Sequence, residues 1–94
     1  MEKILTLHPL GKKGVNISRD KYDVMRRTIM QVLKREPLTH VELTRAVERA
    51  LRGKFAGSIA WYMECLKLDL EARKVIRRLK GGGQERYEIV RRGG

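Results

Sequence analysis

The stretch GKKG, residues 11–14, places two lysines between two glycines, a combination that can bind phosphate. A nucleotide P-loop has two glycines five positions apart, then a Lys that reaches the phosphates and a Ser or Thr that holds magnesium. No Ser or Thr follows either Gly-Lys pair of this chain. The P-loop interpretation therefore fails, and two others remain. The stretch is either a turn with solvated lysines or a basic loop in which Lys12 and Lys13 contact an anion.

The remaining side chains of catalytic type are too scattered to form a reactive site. His8 and His40 are far apart in sequence, and neither belongs to a metal-ligand spacing. Cys65 is the only cysteine, which excludes an intramolecular disulfide and a cysteine metal cage, and it has no His close to it in sequence. We therefore expect no enzymatic activity, no metal and no cofactor.

The charge of the chain indicates its class of partner. Twenty-two Lys and Arg oppose eleven Asp and Glu, for a formal net charge of +11. Such an excess favours polyanionic partners, with nucleic acid first, and the alternative is a charge-rich solvated surface. Neither a signal peptide nor an apolar run of membrane-spanning length is present, so we expect a cytoplasmic protein without membrane contact.

Three helices are predicted from apolar residues that repeat at helical spacing and from signals at the helix ends. Ser18, Thr39 and Ser58 are the expected N-caps. Thr39 and Glu42 together predict a capping box, and Gly53 predicts the end of the second helix. The predicted helices cover residues 19–35, 40–52 and 58–72.

Extended segments are expected on both sides of the helices. KILTLHP and GVNI near the start are short and β-rich, and KVIRRLKGGGQERYEIV near the end reads as a hairpin with a glycine tip. The order predicts an α+β fold: a winged helix-turn-helix of three helices followed by a β-hairpin wing, with an extra N-terminal extended segment. The predicted parts of this single domain, 1–94, are 1–17 (extended segment), 18–73 (helices) and 74–92 (wing).

Two longer sequence patterns resemble those of known protein families. LDLEARKVIRRLKGGGQERYEIV resembles the end of the third helix and the wing of bacterial winged-helix proteins. The pattern HPxGKxG…KYxxM…WYxxxxKLDLEAR resembles a small bacterial domain family of unknown function over roughly residues 6–90. The resemblance implies a winged-helix-like fold and no activity. Lys74 stands where winged helices often have glycine, so we predict a left-handed backbone at this residue.

The third helix is the element that would enter a DNA major groove in a helix-turn-helix. Its single lysine, Lys67, is outweighed by Glu64, Asp69 and Glu71, which would be repelled by phosphates. Lys67 is also its only good candidate for base reading. The sequence therefore predicts weak sequence specificity.

The predicted wing is far more basic than the third helix. Eight cations between Arg73 and Arg92 oppose two glutamates, and together with the opening loop they predict a surface that follows phosphates. A solvated run of charge is the alternative. The predicted nucleic-acid-binding residues, with double-stranded DNA as the expected partner, are Lys12, Lys13, Lys67, Arg77, Arg78, Lys80 and Arg86.

A second apolar face of the third helix carries Trp61 and Leu68. Either the N-terminal segment covers this face, or the face is exposed and binds a protein partner or a second copy of the chain. The sequence therefore predicts a nucleic-acid-binding protein that contacts phosphates mainly through the wing. The alternative is a winged-helix interaction or dimerisation module without DNA binding.

Overall fold

Three helices form the centre of the structure, a computed structural model that describes residues 2–91. The helices are α1 (Arg19–Leu33), α2 (His40–Leu51) and α3 (Ile59–Ala72). The first two end slightly earlier than predicted, and α3 ends at the predicted residue. None of the described helices has both the length and the apolar composition needed to cross a membrane.

Polar side chains cap all three helices as the sequence predicts. The hydroxyls of Ser18, Thr39 and Ser58 each accept a hydrogen bond from a backbone N–H in the first helical turn. The capping box of α2 is also confirmed, because the Thr39 N–H donates to Glu42 Oε1 at 2.9 Å and the Glu42 N–H donates to Thr39 Oγ1 at 3.2 Å. The bond from the Thr39 backbone lowers the pKa of Glu42. These caps set where each helix begins.

The predicted left-handed backbone at Lys74 is confirmed, with φ of 65°. The Val75 N–H donates to the Leu70 carbonyl at 2.9 Å, and the Lys74 N–H donates to the Glu71 carbonyl at 3.0 Å. These two bonds are those of a Schellman motif, which satisfies the last carbonyls of a helix and requires a left-handed residue after it. Lys74 therefore adopts a conformation that glycine takes at lower cost.

We expect the substitution Lys74→Gly to be neutral or slightly stabilising, by up to about 1 kcal/mol, because it relieves the left-handed strain. Thermal unfolding followed by circular dichroism measures the effect. Ala72→Gly is the matched control, and it should destabilise by about 1 kcal/mol because Ala72 has helical backbone angles. A clear fall in melting temperature for Lys74→Gly would contradict the assignment of strain to this residue.

The extended segments form two antiparallel sheets. The first pairs β1 (Lys3–Leu5) with β2 (Asn16–Ser18), so the N-terminal segment folds back on itself before α1. In the second sheet the strand order is β3-β5-β4. Its strands are β3 (Leu38–Thr39), β4 (Ile76–Leu79) and β5 (Arg86–Ile89). The predicted glycine-tipped hairpin is therefore present, while Arg92, the predicted end of the wing, lies outside the described residues.

The hydrophobic core lies between the three helices and the second sheet. Its apolar side chains come from every helix and from β2, β4 and β5. The members with no exposed surface are Met25, Ile29, Leu43, Val47, Met63, Leu66 and Leu70. The structure is thus a small α+β domain in which one core positions both sheets.

One buried carboxylate, that of Asp69 on α3, joins three segments of the chain. It is fully buried, and it accepts hydrogen bonds from the Leu7 N–H at 2.8 Å, from the Tyr22 hydroxyl, and from Arg73 Nε at 2.9 Å. Burial and the bond to Asp69 raise the pKa of Tyr22 to about 12. Asp69 therefore attaches the N-terminal segment and α1 to α3.

Candidate functional site

The two arginines of β4 lie on opposite faces of the β4–β5 hairpin, and each is paired with carboxylates. Arg77 Nη2 lies 2.6 Å from Glu88 Oε2, on the strand opposite. Arg78 contacts Glu71 and Glu85, both at 3.2 Å. The hydrogen bond to Glu71 raises the pKa of Arg78. A phosphate would have to compete with these carboxylates, so the two arginines offer less free positive charge than the sequence suggests.

The other predicted cations of the wing and the opening loop remain free. Lys12, Lys13, Lys80 and Arg86 are exposed. Within residues 2–91, none of the four lies within 4.0 Å of a carboxylate. They can therefore accept a phosphate without losing an ion pair.

The GKKG stretch forms part of the connection between β1 and β2, so the prediction of a turn is confirmed. Gly14 is required there by close packing, because a Cβ atom at this position would lie 1.7 Å from the Thr6 carbonyl oxygen. A pocket of about 440 Å³ adjoins the loop and is lined by Lys12, Lys13 and Lys74 among others. Anion binding at this loop stays a prediction.

The prediction that Lys67 is available on α3 to read bases is wrong, because its side chain is buried and the residue is only 4% exposed. Its ammonium lies 3.0 Å from His40 Nδ1, 3.1 Å from the Tyr87 hydroxyl and 3.4 Å from Glu64 Oε1. An ammonium can only donate, so His40 accepts through Nδ1 and carries its proton on Nε2, which lies 3.4 Å from Glu64 Oε2. Lys67 thus joins α2, α3 and the β4–β5 hairpin, and its ammonium is not presented at the surface.

Trp61 is 47% exposed, so the interpretation that the N-terminal segment covers it is wrong. Its ring contacts Tyr62 edge-on, with 4.9 Å between the ring centroids. Leu68, further along α3, is half-buried. In the N-terminal segment, Leu5 and Leu7 are themselves exposed at 55% and 43%. The predicted partner surface is therefore accessible at Trp61 and less so at Leu68.

Two basic grooves beside α1 were not predicted from the sequence. The first, of about 600 Å³, lies between α1 and the end of β5. It is lined by Asp23, Arg26, Arg27, Met30, Gln31, Lys34, Ile89 and Arg91. The second, of about 610 Å³, lies between α1 and α2. It is lined by Gln31, Val32, Arg35, Glu36, Leu38, Glu42, Arg45, Ala46, Arg49 and Ala50.

One signal of these grooves is visible in the sequence of α1. Lys34, the C-cap of α1, follows Arg27 by seven residues, which is close to two helical turns and places the two cations on the same side of the helix. The cations that α2 and β5 add could not be found in this way, because they approach α1 only in the folded chain. The described residues contain no group of three or more His, Cys, Asp or Glu side chains that could hold a metal ion.

Comparisons with known proteins give one match. The model of DUF6958, described as a family of unknown function, matches residues 3–87. The predicted resemblance to an uncharacterised domain family is therefore confirmed over most of the chain. Neither the curated proteins nor the solved structures gave a match.

Proposed function

The chain belongs to DUF6958, a family of unknown function, and we propose from its fold and charge that it is a winged-helix nucleic-acid-binding domain. It grips the phosphate backbone of double-stranded nucleic acid and has little preference for sequence. The proposal includes no catalytic step and no cofactor.

The order of elements supports the winged-helix part of the proposal. A helix-turn-helix places two helices around a short turn, and a wing adds a β-hairpin after the second of them. Here α2 and α3 are followed by the β4–β5 hairpin, and β3, which precedes α2, pairs with β5 to close the sheet. The wing is thereby attached to the start of α2 and does not extend freely.

The chemistry of α3 supports weak sequence specificity. Base edges are read by exposed Arg, Lys, Asn or Gln side chains. The lysine of α3 is buried, and the side chains at its surface include Trp61 and Glu64. Carboxylates at this surface repel phosphates, so α3 is poorly suited to enter a groove.

The observation that carries the proposal is the number of cations without a carboxylate partner. In the part of the chain that the structure describes, only five Lys or Arg side chains lie within 4.0 Å of a carboxylate. Those five are Arg19, Lys67, Arg73, Arg77 and Arg78. The described residues 2–91 hold twenty-one of the twenty-two Lys and Arg of the chain, so sixteen of them have no carboxylate partner and are available to phosphates.

We expect binding to duplex DNA to weaken steeply with salt and to vary little with sequence. The plot of log affinity against log salt concentration should have a slope of about −0.9 for each phosphate contact. Fluorescence anisotropy with several unrelated duplexes, between low and moderate salt, measures both properties. A slope near zero, or affinity for one duplex alone, would count against the proposal.

A second function is favoured by the exposure of Trp61. A tryptophan that is 47% exposed is unusual on a surface without a partner, since large aromatic side chains are enriched in interfaces. The alternative is therefore an interaction or dimerisation module that uses α3. Sedimentation of the wild type and Trp61→Ala over a range of concentrations tests self-association. If wild type binds no DNA at low salt and dimerises through Trp61, this function replaces the first.

A further inference from the structure

We propose that the nucleic acid lies against α1, with its phosphate backbone in the groove between α1 and the end of β5, and not against α3 or the tip of the wing. This inference rests on the proposed function and identifies the surface that performs it. The predicted cations of the loop and wing then make weaker, outer contacts.

The groove between α1 and β5 has cations on both walls. Arg26 and Arg27 line it from α1, Lys34 lines it from the C-cap of α1, and Arg91 lines it from the segment after β5. Among residues 2–91, the one carboxylate that lines it is that of Asp23, which lies 3.6 Å from Arg19 Nε outside the groove. Charge of one sign on facing walls concentrates the positive potential between them, which attracts an anion to the groove.

The positive surface continues across α1 into the second groove. Gln31 lines both grooves, so they meet along one helix. The second groove adds Arg35, Arg45 and Arg49. Its two glutamates are Glu36 and Glu42, and the Glu42 carboxylate already accepts a hydrogen bond from the Thr39 N–H in the capping box of α2. The two grooves together present a basic surface on both sides of α1.

The length of this surface favours a nucleic-acid backbone over a compact anion. Arg27 and Lys34 are seven residues apart on a helix, which corresponds to roughly 10 Å at 1.5 Å per residue. A strand of duplex DNA carries a phosphate about every 3.4 Å along the helix axis, so several phosphates fit along α1. Most of the cations are arginines, whose planar guanidinium groups match the geometry of phosphate oxygens. An acidic peptide has no such regular line of charge.

Two triple variants of the full-length chain test the inference, and each removes three positive charges. The first carries Arg26→Gln, Arg27→Gln and Lys34→Gln in the α1 groove. The matched control carries Lys12→Gln, Lys13→Gln and Lys80→Gln, which are exposed and free of carboxylate partners. Circular dichroism melting establishes that both variants fold. Affinity for a 20-base-pair duplex is then measured as a function of salt, with polyglutamate as a second probe.

We expect the α1 variant to lose roughly 100-fold in affinity for the duplex near 0.1 M salt, and its salt slope to flatten by about 2.7, or 0.9 for each lost contact. The control should lose less than about 10-fold. Trp61, the only tryptophan, should keep its emission when the duplex binds, because α3 stays free.

Several outcomes would overturn the inference while the proposed function stands. Equal losses in the two variants would mean that binding follows net charge and not this groove, and a larger loss in the control would place the duplex on the loop and wing. If the α1 variant loses affinity for polyglutamate but not for the duplex, the groove binds an acidic peptide instead.

If the wild-type chain binds no duplex at low salt, the proposed function itself fails.

Discussion

Replacing Asp69 by Ala should destabilise the fold by about 2–5 kcal/mol, because two hydrogen-bond donors lose their acceptor at a cost of about 1–3 kcal/mol each. The substitution leaves the Tyr22 hydroxyl and the Leu7 N–H without their acceptor. It also removes the carboxylate that binds the Arg73 guanidinium. Small domains are stable by about 5–15 kcal/mol, so such a loss would be a large part of the stability. Urea unfolding followed by circular dichroism measures the loss. A loss below about 1 kcal/mol would show that Asp69 does not hold these segments together.

Tyr22→Phe isolates one bond of this cluster. It should cost about 1.5–3 kcal/mol, the usual contribution of a hydrogen bond to a charged group. It should also change how the stability of the fold depends on alkaline pH. The raised pKa of about 12 means that the neutral phenol is favoured in the folded state, so its contribution is complete below about pH 10 and is lost as pH rises through about 12. We expect Tyr22→Phe to remove this part of the alkaline loss, and an unchanged pH profile would contradict the assignment.

Replacing Lys67 by Ala should destabilise the fold by about 2–4 kcal/mol, through the cavity left by its buried stem and the loss of the Tyr87 hydrogen bond. The Lys67 ammonium also lies 4.4 Å from the centroid of the Tyr87 ring, and that cation–π contact would be lost too. The loss should appear in the melting temperature. A variant as stable as the wild type would mean that Lys67 is not part of the packing between α3 and the wing.

Lys67→Met separates the packing of the stem from the charge. Methionine fills a similar volume without a buried charge, so we expect a stability change within about 1.5 kcal/mol. Affinity for duplex DNA should stay within a factor of about three, since the ammonium is not at the surface. A large loss of affinity in a folded Lys67→Met variant would mean that Lys67 contacts the DNA. It would contradict the conclusion that Lys67 stays buried when DNA binds.

Structural features that depend on only a few neighbouring residues were predicted correctly. The caps at Ser18, Thr39 and Ser58 and the left-handed turn at Lys74 depend on hydrogen bonds and backbone angles within one helical turn, so their residue types suffice to find them. The glycine-tipped hairpin also depends on neighbouring residues. The family could be recognised because its motifs are read directly from the order of residues in the sequence.

Only the tertiary structure decided which charges are free, because pairing joins residues that are distant in sequence. The sequence predicted that Lys67 reads bases from the third helix, but the side chains of Tyr87 on β5 and His40 on α2 bind its ammonium in the interior. Carboxylates offset the charge of the β4 arginines, as Glu71 of α3 does for Arg78. The cations beside α1 are instead joined by Arg91, which follows β5. Composition therefore determined that the protein is basic, and packing determined where that charge reaches solvent.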